Sequence, residues 1–220
     1  MSRVNNRVQI FFSTHLNFKK MKKRVLLPLL VAALWATPAV ASPYVSVSAG
    51  IGTPANSDMT FSGITYGGAV QYKSGGVYGA AVGVKSGDYR AEGAIGYQTS
   101  GIDKAISLPL TGGEVSVVSY MANGYRDFAQ KNSAFTPYLT VGVGIADVQA
   151  AESGVTFIDQ RAFAWQAGFG VGIKASDNVV VDLGYRYFNT ANVTSHSLAP
   201  IPVDFSVSSS NFLFGVRCGI

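Results

Sequence analysis

Large apolar residues recur at every second position along most of the chain after Pro43. This period of two is the pattern of β-strands, because successive side chains point to opposite faces. It predicts eight strands, at residues 43–52, 77–85, 89–99, 115–128, 136–148, 162–174, 179–189 and 209–220. Most of them exceed the ~5–6 residues of a typical globular strand and approach the ~9–11 that cross a bilayer.

The connections between these strands alternate in length. Three are short and polar (86–88, 129–135 and 176–178), whereas four are long (53–76, 100–114, 149–161 and 190–208). Short turns at one end and long loops at the other are typical of an up-and-down barrel in an outer membrane. Segment 63–73 also alternates, but a ninth strand would place the termini on opposite sides. We therefore assign it to the first outer loop or to an upward extension of the second strand.

The two faces of the strands differ in size and polarity. In the fifth strand, Leu139, Val141 and Val143 alternate with Thr140 and Gly142, and the sixth and seventh strands repeat the contrast. An apolar exterior in lipid around an interior of small, polar or charged residues explains this pattern at about eight strands. A soluble sandwich or lipocalin-like barrel is the alternative with the same period. The phase of strand 115–128 stays open.

The distribution of charge argues against a nucleic-acid partner. The formal net charge is +5, but seven of the 17 Lys and Arg residues precede residue 42, whereas all 12 Asp and Glu residues follow it. The rest of the chain is therefore slightly acidic and has no basic patch for phosphates.

The amino-terminal segment has the features of an export signal. Residues 21–41 combine Lys22, Lys23 and Arg24 with a short apolar stretch and with Ala39 and Ala41 at the cleavage positions. We predict a signal peptide over 21–41, an extended leader or mis-assigned start over 1–20, and a barrel domain over 42–220. The apolar stretch is shorter than the ~20 residues of a spanning helix. With Cys218 alone, no intrachain disulfide can form.

Several segments resemble a known family. They include YGAAVGVKSGDYRAEGAIGYQTS, FTPYLTVGVGIA, VVVDLGYRYF and the terminal FLFGVRCGI. These are similar to the small outer-membrane β-barrel proteins of the OmpA/Opa-like superfamily, of the opacity protein and surface antigen type. The resemblance implies the bacterial outer membrane and a carboxyl-terminal assembly signal at Gly215, Cys218 and Ile220, where Ile220 replaces the family's usual terminal aromatic residue.

Residues that could support catalysis or bind a cofactor are few. Gly168, Gly170 and Gly172 lie in a predicted strand and open no helix, so they do not form a dinucleotide site. His196, the single histidine after the signal, adjoins Ser195 and Ser197 in a loop, where no geometry holds a catalytic pair. The sequence therefore predicts no enzyme, no cofactor and no metal site.

Charged residues on the inner face form the candidate site. Glu92, Asp182 and Arg217 should lie at a similar height, with Arg90 and Arg186 also facing inward. A buried arginine is costly without a partner, so we expect Arg217 to pair with Asp182 on the adjacent strand and with Glu92 across the lumen. This cluster would be structural.

The predicted function is that of a monomeric structural or adhesive surface protein that presents four outer loops. Its expected partners are outer-membrane lipid, the secretion and barrel-assembly machinery, and a host or cell-surface ligand. A small channel is the alternative, and an outer-membrane enzyme is a weaker one.

Overall fold

A computed structural model describes residues 41–61, 64–105, 108–109, 113–130, 133–152, 155–191, 193–195 and 203–220. These residues form strands β1 Ser42–Pro54, β2 Ser57–Phe61, β3 Ile64–Tyr72, β4 Gly75–Ser86, β5 Tyr89–Ala105, β6 Leu108–Pro109, β7 Gly113–Asp127, β8 Phe135–Glu152, β9 Val155–Lys174, β10 Val179–Thr190, β11 Val193–Ser195, β12 Val203–Phe205 and β13 Ser208–Gly219. Within the described ranges, no helix is long and apolar enough to span a membrane.

Eight of the strands form one closed antiparallel barrel. Its order is β1, β4, β5, β7, β8, β9, β10 and β13. The barrel closes where β13 pairs with β1, in a continuous register from Tyr44↔Gly219 to Pro54↔Ser209. Each of the eight predicted strands corresponds to one of these elements, with ends that differ by a few residues, and the predicted fold class is confirmed.

The outer wall is apolar and the inner wall buries the smaller or polar residues. On β8, the outward Val141 is 66% exposed, whereas Thr140 beside it is 5% exposed. Exposed aromatic residues mark the two ends of the apolar belt: Tyr89, Phe128 and Phe135 near the short turns, and Tyr78, Tyr97 and Trp165 near the outer end. Such a belt between aromatic girdles is the surface of a barrel in lipid. On β7, the residues at odd positions from Val115 to Asp127 face inward. This decides which face of that strand points into the barrel, a question that the sequence left open.

The long outer connections consist largely of strands. β8 and β9 continue as a paired hairpin up to Glu152↔Val155, through most of the stretch predicted as a loop. β3, Ile64–Tyr72, accounts for most of segment 63–73 and pairs with β2 and with the outer end of β5. Its end pairs with β5 in the register that β4 follows further down, Gln71↔Lys104 and then Val77↔Gln98, so it extends the second barrel strand upward, one of the two expected placements. The order β11-β12-β2-β3-β5 gives a second sheet at the outer end.

The interior is less uniformly polar than the sequence predicts. Its outer part holds a hydrophobic cluster: Ile102, Val115, Val117, Met121, Ala146, Val148, Ala164, Phe188 and Val207. Several of these residues lie on the outer parts of strands that extend beyond the lipid. There the wall no longer needs an apolar outer face, and apolar residues can fill the inside as in a soluble barrel. We call this set the outer apolar cluster.

The outer apolar cluster leads to a first prediction. Phe188 is 5% exposed and Phe214, on the lipid side, is 54% exposed. Phe188→Ala should lower the free energy of unfolding by about 3–5 kcal/mol, because it leaves a cavity in a packed core. Phe214→Ala should cost less, because lipid closes around the smaller side chain. The urea midpoint of the folded band on an unboiled gel measures both, and equal losses would contradict the assignment of the two faces.

Candidate functional site: the charged interior of the barrel

A buried carboxylate organises the end of the barrel near the short turns. Asp127, the last residue of β7, is 1% exposed. Its carboxylate accepts hydrogen bonds from Lys85 Nζ at 2.9 Å and from Arg90 Nε at 3.0 Å. Lys85 lies partly in solvent, whereas the Arg90 side chain is buried. Asp127 is thus paired with the buried Arg90, as a charge in a low-dielectric interior requires, and the partly exposed Lys85 is a second cation beside it.

Arg90 also contacts two aromatic rings and a second carboxylate. Its guanidinium carbon lies 4.0 Å from the ring centroid of Tyr125 and 5.0 Å from that of Tyr138. The two rings meet edge to face, with centroids 5.7 Å apart. Arg90 Nη1 lies 3.7 Å from Glu92 Oε1. Cation–π contacts in a desolvated site add to the ion pairs and fix the position of the guanidinium.

Arg217 and Asp182 lie on neighbouring strands, with Nη2 and Oδ1 3.2 Å apart. Glu92 has other partners than the expected Arg217: it pairs with Arg90, and the Tyr44 hydroxyl donates to it at 2.8 Å. The Tyr44 ring lies 5.4 Å from the Arg217 guanidinium. Tyr44 therefore stands between Arg217 and Glu92 and contacts both.

A layer of amide side chains lies between the charged residues and the outer apolar cluster. Gln166 Nε2 donates to Asn123 Oδ1 at 2.5 Å, and Ser209 Oγ donates to Gln98 Oε1 at 3.0 Å. The second bond joins β13 to β5, which are not neighbours in the barrel, so it crosses the lumen. An internal cavity of about 100 Å³ remains, lined by residues that include Arg90, Asn123 and Arg186.

The three residues of the predicted assembly signal lie at the seam. Gly215 is buried, and a Cβ there would come within 3.1 Å of the Val47 carbonyl oxygen on β1. Cys218 is half-buried with a free thiol, opposite Val45. Ile220 is 77% exposed.

The remaining sequence candidates lie on β9, on β11 or outside the described residues. Gly168, Gly170 and Gly172 lie inside β9. Ser195 ends β11, while His196 and Ser197 fall outside the described residues. In the part of the chain that the structure describes, no group of three or more His, Cys, Asp or Glu residues could hold a metal ion.

Sequence reasoning missed several members of the cluster. Asp127 and Tyr125 were missed because the weak alternation of β7 left open which of its faces points inward. With the odd positions assigned to the interior, both residues would have been candidates. Tyr44 and Tyr138 carry no such signal, since an aromatic residue on a barrel strand suits the lipid face equally well.

Comparison with known proteins agrees with this geometry. Residues 25–217 match the family described as the outer membrane protein beta-barrel domain. The chain belongs to this family. As a member, the protein lies in the bacterial outer membrane, and its outward apolar belt faces lipid.

Two kinds of relative were found for this outer membrane protein. It is 29% identical to outer membrane protein PagN of Salmonella typhimurium over 119 residues, which are 47% of this chain and 49% of PagN. The matched segment thus spans about half the length of that relative. Among solved structures, Neisserial surface protein A aligns with TM-score 0.55 and 20% identity, over 82% of this chain and 99% of its own. The amino-terminal barrel of Pseudomonas aeruginosa OprF aligns with TM-score 0.45 and 13% identity, over 82% and 99%. At 20% identity, the likeness to Neisserial surface protein A concerns the fold alone.

The Arg217–Asp182 pair gives a second prediction. Removing one partner of a buried ion pair typically costs about 3–5 kcal/mol, because the other charge stays buried alone. Arg217→Ala and Asp182→Ala should each lower the urea midpoint of the folded band, and the double variant should lose much less than the sum. Additive losses would show that the two side chains do not interact.

The rim pair Arg126–Asp88 is the control for this cycle. Its side chains are 41% and 49% exposed, and the charged atoms lie 3.4 Å apart. Breaking an exposed pair of this kind should cost only ~0–1 kcal/mol.

A third prediction concerns the terminal residue. Ile220→Phe restores the aromatic residue that the resembled family carries at this position. The restored aromatic residue should raise the fraction of protein inserted in the membrane. Because Ile220 is exposed, the urea midpoint of the folded band should stay unchanged. Fractionation of membranes with an unboiled gel measures both quantities, and an unchanged or lower inserted fraction would show that isoleucine already suffices.

Proposed function

We propose that this protein is a non-enzymatic, monomeric outer-membrane barrel that presents outer strands and loops for contact at the cell surface, in a structural or adhesive role. Its further partners in this proposal are the barrel-assembly machinery and a host or cell-surface ligand bound by the outer connections.

The observation that carries this proposal is how far the strands extend beyond the apolar belt at the outer end. On β9, Phe163 and Trp165 mark the outer end of the apolar belt, and the strand extends back from there to Val155. Beyond the belt, β8 stays paired with β9 through one irregularity between Ala150 and Ala151, and Arg161 donates to Asp147 at 2.6 Å on the outer surface of the hairpin. A rigid hairpin that rises above the lipid is suited to contact another surface.

The filled interior argues against the channel alternative. The lumen holds a charged cluster, a layer of amides and an apolar cluster, and the cavity among them has a volume of about 100 Å³. An eight-stranded barrel filled in this way leaves no room for a wide pore.

A pair of epitope tags tests the orientation, which is the fourth prediction. One tag replaces residues 153–154, between β8 and β9 in the sequence, and the matched control tag lies between Ser176 and Asp177 in the β9–β10 turn. On intact cells, antibody should bind the first tag only. The second should bind only after the outer membrane is permeabilised. The reverse result would place the hairpin in the periplasm and contradict a surface role.

The same hairpin allows the adhesive role to be tested. Val148 and Gln160 face each other in the ladder, so residues 149–159 can be replaced by Asn-Gly, a two-residue hairpin turn. The shortened protein should keep its folded band. Cells that carry it should lose aggregation and attachment to immobilised matrix proteins or host cells, relative to cells with the full hairpin. Unchanged adhesion would exclude the hairpin as the contact.

A further inference from the structure

The outer apolar cluster crosses the lumen from one wall to the other. Its residues come from five barrel strands, β5, β7, β8, β9 and β10, and from Val207, which precedes β13. Ile102 on β5 and Phe188 on β10 belong to strands on opposite sides of the barrel, four places apart in its order. Tyr72 of β3 packs against the cluster, and Val148 within it is 0% exposed. At this level the lumen is therefore closed by apolar side chains.

The lumen between this cluster and the short turns is polar and has room for water. The internal cavity lies among the charged and amide residues. Three residues that line it carry buried atoms without a partner among the described protein groups: Arg90 Nη2, Asn123 Nδ2 and Asn211 Oδ1. Buried polar atoms of this kind normally bond to ordered water. Arg186 on the same wall is only half-buried, and Lys85 near the turns is partly exposed. These levels are therefore hydrated.

The outer apolar cluster has a different effect on water. The Thr190 hydroxyl, buried beside it, accepts a hydrogen bond from the Val207 N–H at 3.0 Å, so a protein group satisfies it without water. An apolar constriction excludes water and the ions that move with it, whereas charged and amide groups bind water. We propose that the outer apolar cluster is the permeability seal of the barrel, and that the charged cluster does not seal the lumen. This role goes beyond the proposed surface function and does not depend on it.

The fifth prediction tests the seal by breaking it. Phe188→Ser removes the largest side chain of the cluster and introduces a hydroxyl. The protein is placed in lipid vesicles that contain a pH-sensitive dye, with potassium and valinomycin to balance charge, and the external pH is lowered. Vesicles with Phe188→Ser should acidify faster than vesicles with the unaltered protein, because protons cross along hydrogen-bonded water once the hydrated lumen is continuous. Equal rates would overturn the proposal.

Three variants separate a broken seal from a loosened barrel, at equal amounts of the folded band on an unboiled gel. Phe188→Leu keeps the level apolar and should acidify as slowly as the unaltered protein. Phe214→Ser makes the same substitution on the lipid side and should also stay slow. The double variant Arg217→Ala, Asp182→Ala should stay slow as well, because the apolar cluster still closes the lumen. Fast acidification in the double variant would place the seal in the charged cluster and overturn the proposal.

A measurement on the unaltered protein covers the case in which Phe188→Ser does not fold. Transfer of magnetisation from water to alanine methyl groups shows by NMR which levels of the lumen are hydrated. Ala94 lines the cavity, whereas Ala164 in the outer apolar cluster is 0% exposed. The Ala94 methyl group should receive magnetisation from water, and the Ala164 methyl group should not. Transfer to both methyl groups, or to neither, would overturn the proposal.

Discussion

The structure depends on one constraint: no backbone N–H or C=O group within the lipid can be left without a partner. Hydrocarbon offers no hydrogen bonds, so a sheet that crosses it must close on itself. β13 meets this constraint by pairing with β1 along nearly its whole length and with β10 on its other edge. The buried Gly215 permits the close approach of β1 at the seam.

Closure at eight strands makes the interior narrow, and the contents of the lumen follow from that. The wall brings inward-facing residues from non-adjacent strands within hydrogen-bonding distance, as the bonds Tyr44–Glu92 and Ser209–Gln98 show. Each charge brought inside then needs a partner nearby. Charged, amide and apolar residues accordingly occupy successive levels from the short turns to the outer end. The levels differ because the wall is immersed in lipid along its middle and leaves the lipid at the top.

Period-two alternation was sufficient to predict the eight strands, the inverted faces and the closing role of the last strand, because a strand in lipid must keep its phase over its full length. The partners of Glu92 were beyond such reasoning. Which residues meet across a lumen depends on the stagger of the strands. Counting residues from the strand ends predicted Arg217 beside Glu92, but Tyr44 occupies that place. The outer apolar cluster was missed for a related reason: Val115, Val117 and Met121 lie on β7, where the alternation is weak. Segment 63–73 was recognised by its alternation, and as β3 it continues β4 along the edge of β5. The other strands of the outer connections were missed.

The division of the molecule into a fixed interior and a raised outer part has a physical logic. The contacts Lys85–Asp127, Arg90–Asp127, Tyr44–Glu92 and Arg217–Asp182 each join different strands, so a slip of register by one residue would turn a charge toward lipid. The pairing register of the strands is thereby set within the lipid-embedded part of the barrel. β5, β7, β8 and β9 are therefore already aligned with one another where they leave the lipid. Their outer ends need only continue existing ladders, as β8 and β9 do up to Glu152 and Val155. Because the alignment comes from below, the side chains that face outward there are released from most structural demands and are available for contact with another surface.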